Sequence, residues 1–172
     1  YPPKERGYLP QLSAMNRSFP LRVKDAVGTG VWPNLKSWQS FPRAWREKRE
    51  HALHAMGLWD LRSRPLTDLS GGQFQRVLFA RLMIQDHPFL LLDEPLNGLD
   101  HRTQVALLEK VTAWAQDGKT ILMTLHNEPL VRSYFPHTLC LLPEGGLFGT
   151  TEDVLKEGCC QNPPLCSTQE PS

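Results

Sequence analysis

Two spacings of apolar residues alternate along the 172-residue chain. Phe89–Leu92 (FLLL) and Thr120–Leu125 (TILMTL) are short apolar runs. The unbroken FLLL run predicts a parallel strand covered on both faces. Arg6–Gln11 (RGYLPQ) predicts another short strand, ended by Pro10, with Gln11 entering a loop. From Leu21 to about Arg81 the character is helical and irregular. Lys24–Thr29 predicts a short helix, and Asn34–Pro42 a loop rich in aromatics. Ala44–Met56 (AWREKREHALHAM) has helical composition, with an apolar side through Trp45, Ala52, Ala55 and Met56, and Gly57 is its stop. Asp100 caps a helix running to about Ala115, with Val105, Leu108, Val111 and Thr112 on one side and Gly118 as its stop. Asn127 is a further cap, with Pro129 in the first turn. Thr138–Leu142 and Gly146–Gly149 predict two last strands around the turn PEGG, and Glu152–Lys156 a closing helix.

Strands alternating with helices predict an α/β layered fold. The expected division is residues 1–20 as the end of an N-terminal lobe, 21–81 as an inserted helical subdomain, 82–158 as the core, and 159–172 as a disordered tail rich in Pro, Ser, Cys and Gln. The length suits one domain with a real core. Lys and Arg number 19 against 18 Asp and Glu, so the balance gives no general attraction to nucleic acid. No apolar run approaches the length of a membrane span, so contact with a membrane is expected through a partner. Of the 4 cysteines, Cys140 lies in an apolar run while Cys159, Cys160 and Cys166 crowd the tail. That is not a disulfide framework, and a reducing compartment is the default.

The chemistry concentrates between Leu69 and Asp100, LSGGQFQRVLFARLMIQDHPFLLLDEPLNGLD. Ser70, followed three residues later by Gln73, spells a capping box ahead of a helical run. Gly71 and Gly72 leave backbone N–H groups uncovered, so the helix end offers a place for an anion. Taken alone, S-G-G-Q is equally an ordinary capped helix. Asp93 and Glu94 emerge where the FLLL strand ends, and open α/β sheets bind ligands beyond the carboxyl ends of their strands. Adjacent carboxylates repel, so a cation or developing positive charge belongs beside them. Asp93 suits Mg²⁺ held through water, and Glu94 suits orienting or deprotonating an attacking water. His126 follows the next strand, where a histidine can bond a terminal phosphate. No G-x-x-x-x-G-K-[ST] phosphate loop occurs in the 172 residues, and the first residue is Tyr1. The expectation is that the N-terminal part of a longer protein is absent.

Five segments in order resemble the ATP-binding cassette (ABC) ATPases. LSGGQ (Leu69–Gln73) is similar to the signature motif, FLLLDEP (Phe89–Pro95) to Walker B, NGLD (Asn97–Asp100) to the D-loop, TLHN (Thr124–Asn127) to the switch histidine and YLPQ (Tyr8–Gln11) to the Q-loop. The resemblance spans about residues 6–157, and the order of motifs makes it specific. It implies a P-loop NTPase-like cassette fragment, mainly a parallel sheet with an inserted helical subdomain, whose N-terminal strands and phosphate loop are absent. It also implies ATP and Mg²⁺ as cofactors. Gln11 would touch Mg²⁺ or the attacking water. Ser70, Gly71, Gly72 and Gln73 would form the turn facing the γ-phosphate of ATP on the opposite subunit. Asp93 would support Mg²⁺, Glu94 would be the general base, Asp100 would contact the facing subunit and His126 would grip the γ-phosphate. A second cassette as homodimer partner and an integral membrane permease are implied, placing the protein on the cytoplasmic face of the membrane. Without its own phosphate loop the chain is expected to bind ATP poorly, so the parent is the ATPase and the fragment is not.

Met15–Gly30 (MNRSFPLRVKDAVGTG) looks most like the zinc and manganese importers of that family, where a metal-binding receptor protein would be an indirect partner. Trp32, Trp38, Phe41 and Trp45 suit either a permease-facing groove or packing inside the subdomain. His51 and His54, and the tail's C-C-x5-C, match no zinc spacing well. RAWREKR (Arg43–Arg49) reads as a solvated helix face diluted by Glu47 and Glu50, not a nucleic-acid site. Two other readings stay open: a non-transport ABC ATPase, and a degenerate cassette that only binds a partner.

Overall fold

The computed structural model describes residues 5–11, 20–34, 42–142 and 145–161, with side chains for all but 32–34 and 157–161. Trp38, Phe41, most of the 34–42 loop, the Pro143–Glu144 step of PEGG and Cys166 lie outside the described residues, as do the side chains of Trp32, Cys159 and Cys160. The chain packs as two compact units, Tyr1–Leu125 and His126–Ser172.

The first unit is built round one helix. α3, Gly71–Gln85, buries Phe74, Val77, Leu78, Phe79, Ala80, Leu82 and Ile84, so its apolar residues face several directions rather than one stripe. A helix apolar nearly all round is a core helix. α1 (Val23–Gly28) packs against it with Val23, Ala26 and Val27 buried, and α2 (Arg43–Ala55) does so with Ala52 and Leu53. Leu53 therefore displaces Trp45 and Ala55, both only half-buried, from the expected apolar side of α2. After α1 the chain turns through a 3₁₀ segment, Thr29–Asn34. Residues 21–24 are held to 62–66 by Val23 N–H to Arg64 O, Lys24 N–H to Arg62 O and Leu66 N–H to Leu21 O, each 3.0 Å. α3 outlasts its expected limit near Arg81 and stops at Asp86, whose left-handed backbone (φ 52) ends the helix.

β1 (Arg6–Leu9), β2 (Phe89–Leu92) and β3 (Thr120–Met123) form a parallel sheet in that order. Gly7, Leu90 and Ile121 align in one row, and Tyr8, Leu91 and Leu122 in the next. A Cβ on Gly7 would lie 2.8 Å from Leu82 Cδ1 and 2.8 Å from Leu90 Cδ2, so glycine lets α3 close on that face. The alternate row is different: Tyr8 is 56 % and Leu122 is 51 % exposed. The expectation of a strand covered on both faces is thus corrected. Leu90 and Leu92 are buried, whereas Phe89 and Leu91 are only half-buried, because side chains alternate between faces and the described helices cover only one. α4 (His101–Gln116) crosses from β2 to β3, burying Leu107, Leu108 and Val111. Leu108 and Val111 are as expected, but Val105 and Thr112 are half-buried.

The second unit comprises α5 (Glu128–Tyr134), an antiparallel hairpin of β4 (His137–Leu142) and β5 (Gly145–Thr150), and α6 (Thr151–Gln161). Asn127 Oδ1 accepts from Leu130 N–H at 3.1 Å, with Pro129 in the first turn, as expected. Thr151 seats α6: its N–H donates to Pro136 O at 3.0 Å and its hydroxyl to Phe135 O. α6 covers the Thr138–Cys140 side with Val154 and runs to Gln161, past Lys156. The other side exposes Leu139, Leu141 and Phe148.

Candidate functional site

β1, β2 and β3 run the same way in register, so the residues after their last rungs emerge side by side. The ladder continues one step beyond the strands: Asp93 N–H donates to Leu9 O and Thr124 N–H to Leu92 O, both 2.9 Å. Gln11, Asp93, Glu94 and Thr124 therefore share one end of the sheet, the end where parallel sheets place ligands.

Glu94 is the meeting point. Its Oε2 accepts from Gln11 Nε2 at 2.6 Å and from Asn97 Nδ2. Its backbone N–H donates to Thr124 Oγ1 at 2.7 Å, and that hydroxyl donates to Asp93 Oδ1 at 2.9 Å. Glu94 has a left-handed backbone (φ 44), which costs a non-glycine residue roughly 1–2 kcal/mol. The turn separates the adjacent carboxylates. Asp93 engages Thr124 while Glu94 engages Gln11 and Asn97, so each acid has its own donors.

Ser70 forms the expected capping box: Gln73 N–H donates to Ser70 Oγ at 3.2 Å and Ser70 N–H to Gln73 Oε1 at 3.0 Å. The N–H groups of Gly71 and Gly72 have no partner among the described residues, as the first turn of a helix leaves them. This turn is fastened to the loop that follows Glu94. Gln75, 1 % exposed, donates through Nε2 to Pro95 O at 2.8 Å. A Cβ on Gly72 would stand 3.1 Å from Leu99 Cδ2, so the glycine admits that loop closely. Asp100 then caps α4 twice over, with Thr103 N–H donating to Oδ1 at 3.0 Å and Thr103 Oγ1 to Oδ2 at 2.7 Å. The Thr103 hydroxyl, followed by its N–H, holds the Asp100 carboxyl below its ordinary range.

Gln11 meets Glu94 directly and Asp93 is linked to it through Thr124, while Ser70–Gln73 and Asp100 are joined to them through the 95–100 loop. His126 is exposed and opens the second unit. Sequence reading missed Thr124, Asn97 and Gln75 as partners. Thr124 and Asn97 stood inside quoted motifs, and a polar residue directly after an apolar strand was the available signal. His54 stacks on Trp59 with ring centroids 4.3 Å apart, and His51 is exposed beside it on α2. On the same helix Arg43 pairs with Glu47 at 2.9 Å in the open, as a solvated face would.

A cavity of about 470 Å³ lies elsewhere, between α2, the end of α3 and Trp114. Its main charges are already paired. Asp86 accepts from Lys119 at 2.7 Å and has Lys48 at 4.0 Å, and the Lys119 hydrogen bond holds its carboxyl below the ordinary range. Asp93 and Glu94 do not line this hollow.

Residues 2–97 match the family model described as ABC transporter. The manganese transport system ATP-binding protein MntB of Halalkalibacterium halodurans is 36% identical over 154 residues, covering 88% of this chain and 60% of that protein. The zinc transport system ATP-binding protein TroB of Treponema pallidum is 34% identical over 142 residues, covering 80% of this chain and 53% of that protein. A solved ABC transporter of metal-chelate type, in an inward-facing conformation, superposes with a TM-score of 0.77 at 28% identity, over 88% of this chain and 60% of that one. The chain thus spans between about half and 60% of the length of these relatives. A parallel sheet with its paired acids at the carboxyl edge, a matching family model over residues 2–97 and a matching solved fold agree, and the chain belongs to the ABC transporter family.

Proposed function

We propose that this chain is the larger part of the ATP-hydrolysing subunit of an ABC transporter. It pairs with a second cassette and with a membrane permease, at the cytoplasmic face. No helix among the described residues is long and apolar enough to cross a membrane, which agrees with attachment through the permease. The names of the manganese and zinc transport relatives support manganese or zinc as cargo, with a metal-binding receptor protein as the indirect partner.

The observation that carries the reading is the Gln11–Glu94 hydrogen bond, 2.6 Å, at the carboxyl end of the parallel sheet. The side chains fit a Mg²⁺–nucleotide. Mg²⁺ takes one or two protein carboxylates with phosphate and water oxygens. Asp93 supplies a carboxylate, and Gln11, with its NH₂ on Glu94, keeps its carbonyl oxygen for a cation. Bound Mg²⁺–ATP supplies the phosphoryl group and the charge that makes it reactive. Glu94, fixed by Gln11, Asn97 and Thr124, takes the proton of the attacking water. The N–H groups of Gly71 and Gly72 present partial positive charge to an outer phosphate across a dimer. His126 is assigned to the same phosphate, on the TLHN motif.

Within the first unit we assign residues 21–81 to a helical subdomain and 82 onward to the catalytic core. Joining a relative's G-x-x-x-x-G-K-[ST] segment ahead of Tyr1 and measuring phosphate release tests the reading. The joined protein is expected to turn over ATP, and Glu94→Gln to keep ATP binding while slowing release by about 10²–10⁴-fold. A Glu94→Gln protein at the parental rate removes Glu94 from its role. Steady turnover by the 172-residue chain alone contradicts the need for a supplied phosphate loop.

A further inference from the structure

A second hollow, about 250 Å³, lies between the end of α2, α3 and the outer side of α4. Its charged lining is entirely cationic: Arg76 from α3, and Arg102 and Lys110 from α4. None of the three has an ion pair among the described residues. On α4 the order is Arg102, Ala106, Lys110, a spacing of four and four that puts all three on one stripe. The two cations stand about 12 Å apart along the axis, and the methyl of Ala106 leaves the space between them open. Arg76 forms the opposite wall. Its Nη1 donates to Met56 O at 3.2 Å, which fixes the guanidinium and leaves its other N–H donors for a ligand. Gly57 makes room for it: with φ 60 and no side chain, it sits where a Cβ would be 3.2 Å from Arg76 Nη1. The lining hydroxyl, Thr103 Oγ1, donates to Asp100 Oδ2 at 2.7 Å and so is not available to a ligand.

We propose that this hollow is a binding site for a small, multiply charged oxyanion of the phosphate class. Three cations that have no ion pair among the described residues line one concavity and repel one another, and a dianion over Ala106 relieves that repulsion while matching the planar fork of arginine. The volume lies below the range usual for drug-sized ligands, which selects a phosphate or a small phosphomonoester. The site shares no residue with the sheet-edge acids or the Ser70 turn, so the proposal stands apart from the ATPase reading.

The test is calorimetric titration of the 172-residue chain with inorganic phosphate and, separately, with glycerol phosphate, at ionic strength held constant with chloride. The comparison is the double variant Arg102→Gln, Lys110→Gln, at two exposed positions, with its far-UV circular dichroism matched to the parent's. The expected result is saturable binding of at least one ligand, weakened tenfold or more in the double variant, with the tighter ligand naming the source. Binding that survives the double substitution unchanged belongs to another part of the chain and overturns the proposal. So does the absence of any binding beyond the chloride control.

Discussion

Gln75 and Pro95 are joined inside the first unit: the Gln75 amide, 1 % exposed, donates to the Pro95 carbonyl at 2.8 Å, one residue beyond Glu94. A core helix is thereby fastened by a polar bond to the turn that follows β2. The other end of that amide, Oε1, has no partner among the described residues. Replacing Gln75 with leucine strands the Pro95 carbonyl but also removes the orphaned oxygen. The two effects offset, and the expected net loss is about 1 kcal/mol. Gln75→Glu instead removes the donor and buries a charge, at a cost of several kcal/mol. Urea unfolding of both variants decides it, and equal midpoints would show that the bond does not hold the two segments.

A backbone contact sets the second expectation. A Cβ on Gly30 would lie 2.7 Å from the Arg81 carbonyl and 2.9 Å from Ile84 Cγ1, so α3 passes directly over the turn that follows α1. A carbonyl in a helix cannot swing aside as a side chain can. Gly30→Ala should therefore cost about 1–3 kcal/mol, as overpacked cores do. A melting temperature equal to that of the unsubstituted chain would mean that α1 and α3 are not packed this closely.

Acid sensitivity follows from Asp86. Its carboxyl titrates below the ordinary value because of Lys119, so its contribution is fully present above the unfolded-state pKa, near 4, and is lost as pH falls through the lower folded value. Asp86→Asn keeps a residue that tolerates the left-handed backbone at φ 52 while removing the charge. Stability of the variant should fall less steeply than that of the parent below about pH 4. Parallel pH–stability curves would detach the Asp86–Lys119 pair from folding. Asp100, lowered by Thr103, acts in the same direction, so a residual slope in the variant is expected.

Thr124 links Asp93 to Glu94, accepting from one backbone and donating to the other carboxylate. Thr124→Val keeps the shape and removes both bonds. The Glu94 amide hydrogen should then exchange faster with solvent, with a stability loss of about 0.5–1.5 kcal/mol. Thr124→Ser should restore the protection. Slow exchange in the valine variant would show that another group holds the turn.

Local chemistry was the most legible part of this molecule. Ser70 with Gln73, Asp100, and Asn127 with Pro129 each cap the helix they were expected to cap, because a cap depends only on residues a few positions away. The sheet-edge acids were legible for a related reason: a short apolar strand has to release whatever follows it at its end. Thr124 as a partner of Glu94 was not legible, since the pair is thirty positions apart and meets only through strand register. The buried side of α2 was misjudged because Leu53, not Trp45, faces α3, and which residues a helix buries depends on where its neighbour lies. The half-open sheet was missed for the complementary reason. An apolar run such as FLLL signals what a strand tolerates, not what covers it, and the Tyr8–Leu122 row has no helix among the described residues.

The left-handed backbone of Glu94 makes two demands compete at one position. Folding prefers glycine or asparagine there, while the proton abstraction proposed for Glu94 prefers the acid. If every amino acid were installed at position 94 of the protein joined to a phosphate-loop segment, the order of thermal tolerance and the order of nucleotide turnover should disagree most at glutamate. That mismatch would mark the residue as kept for its chemistry.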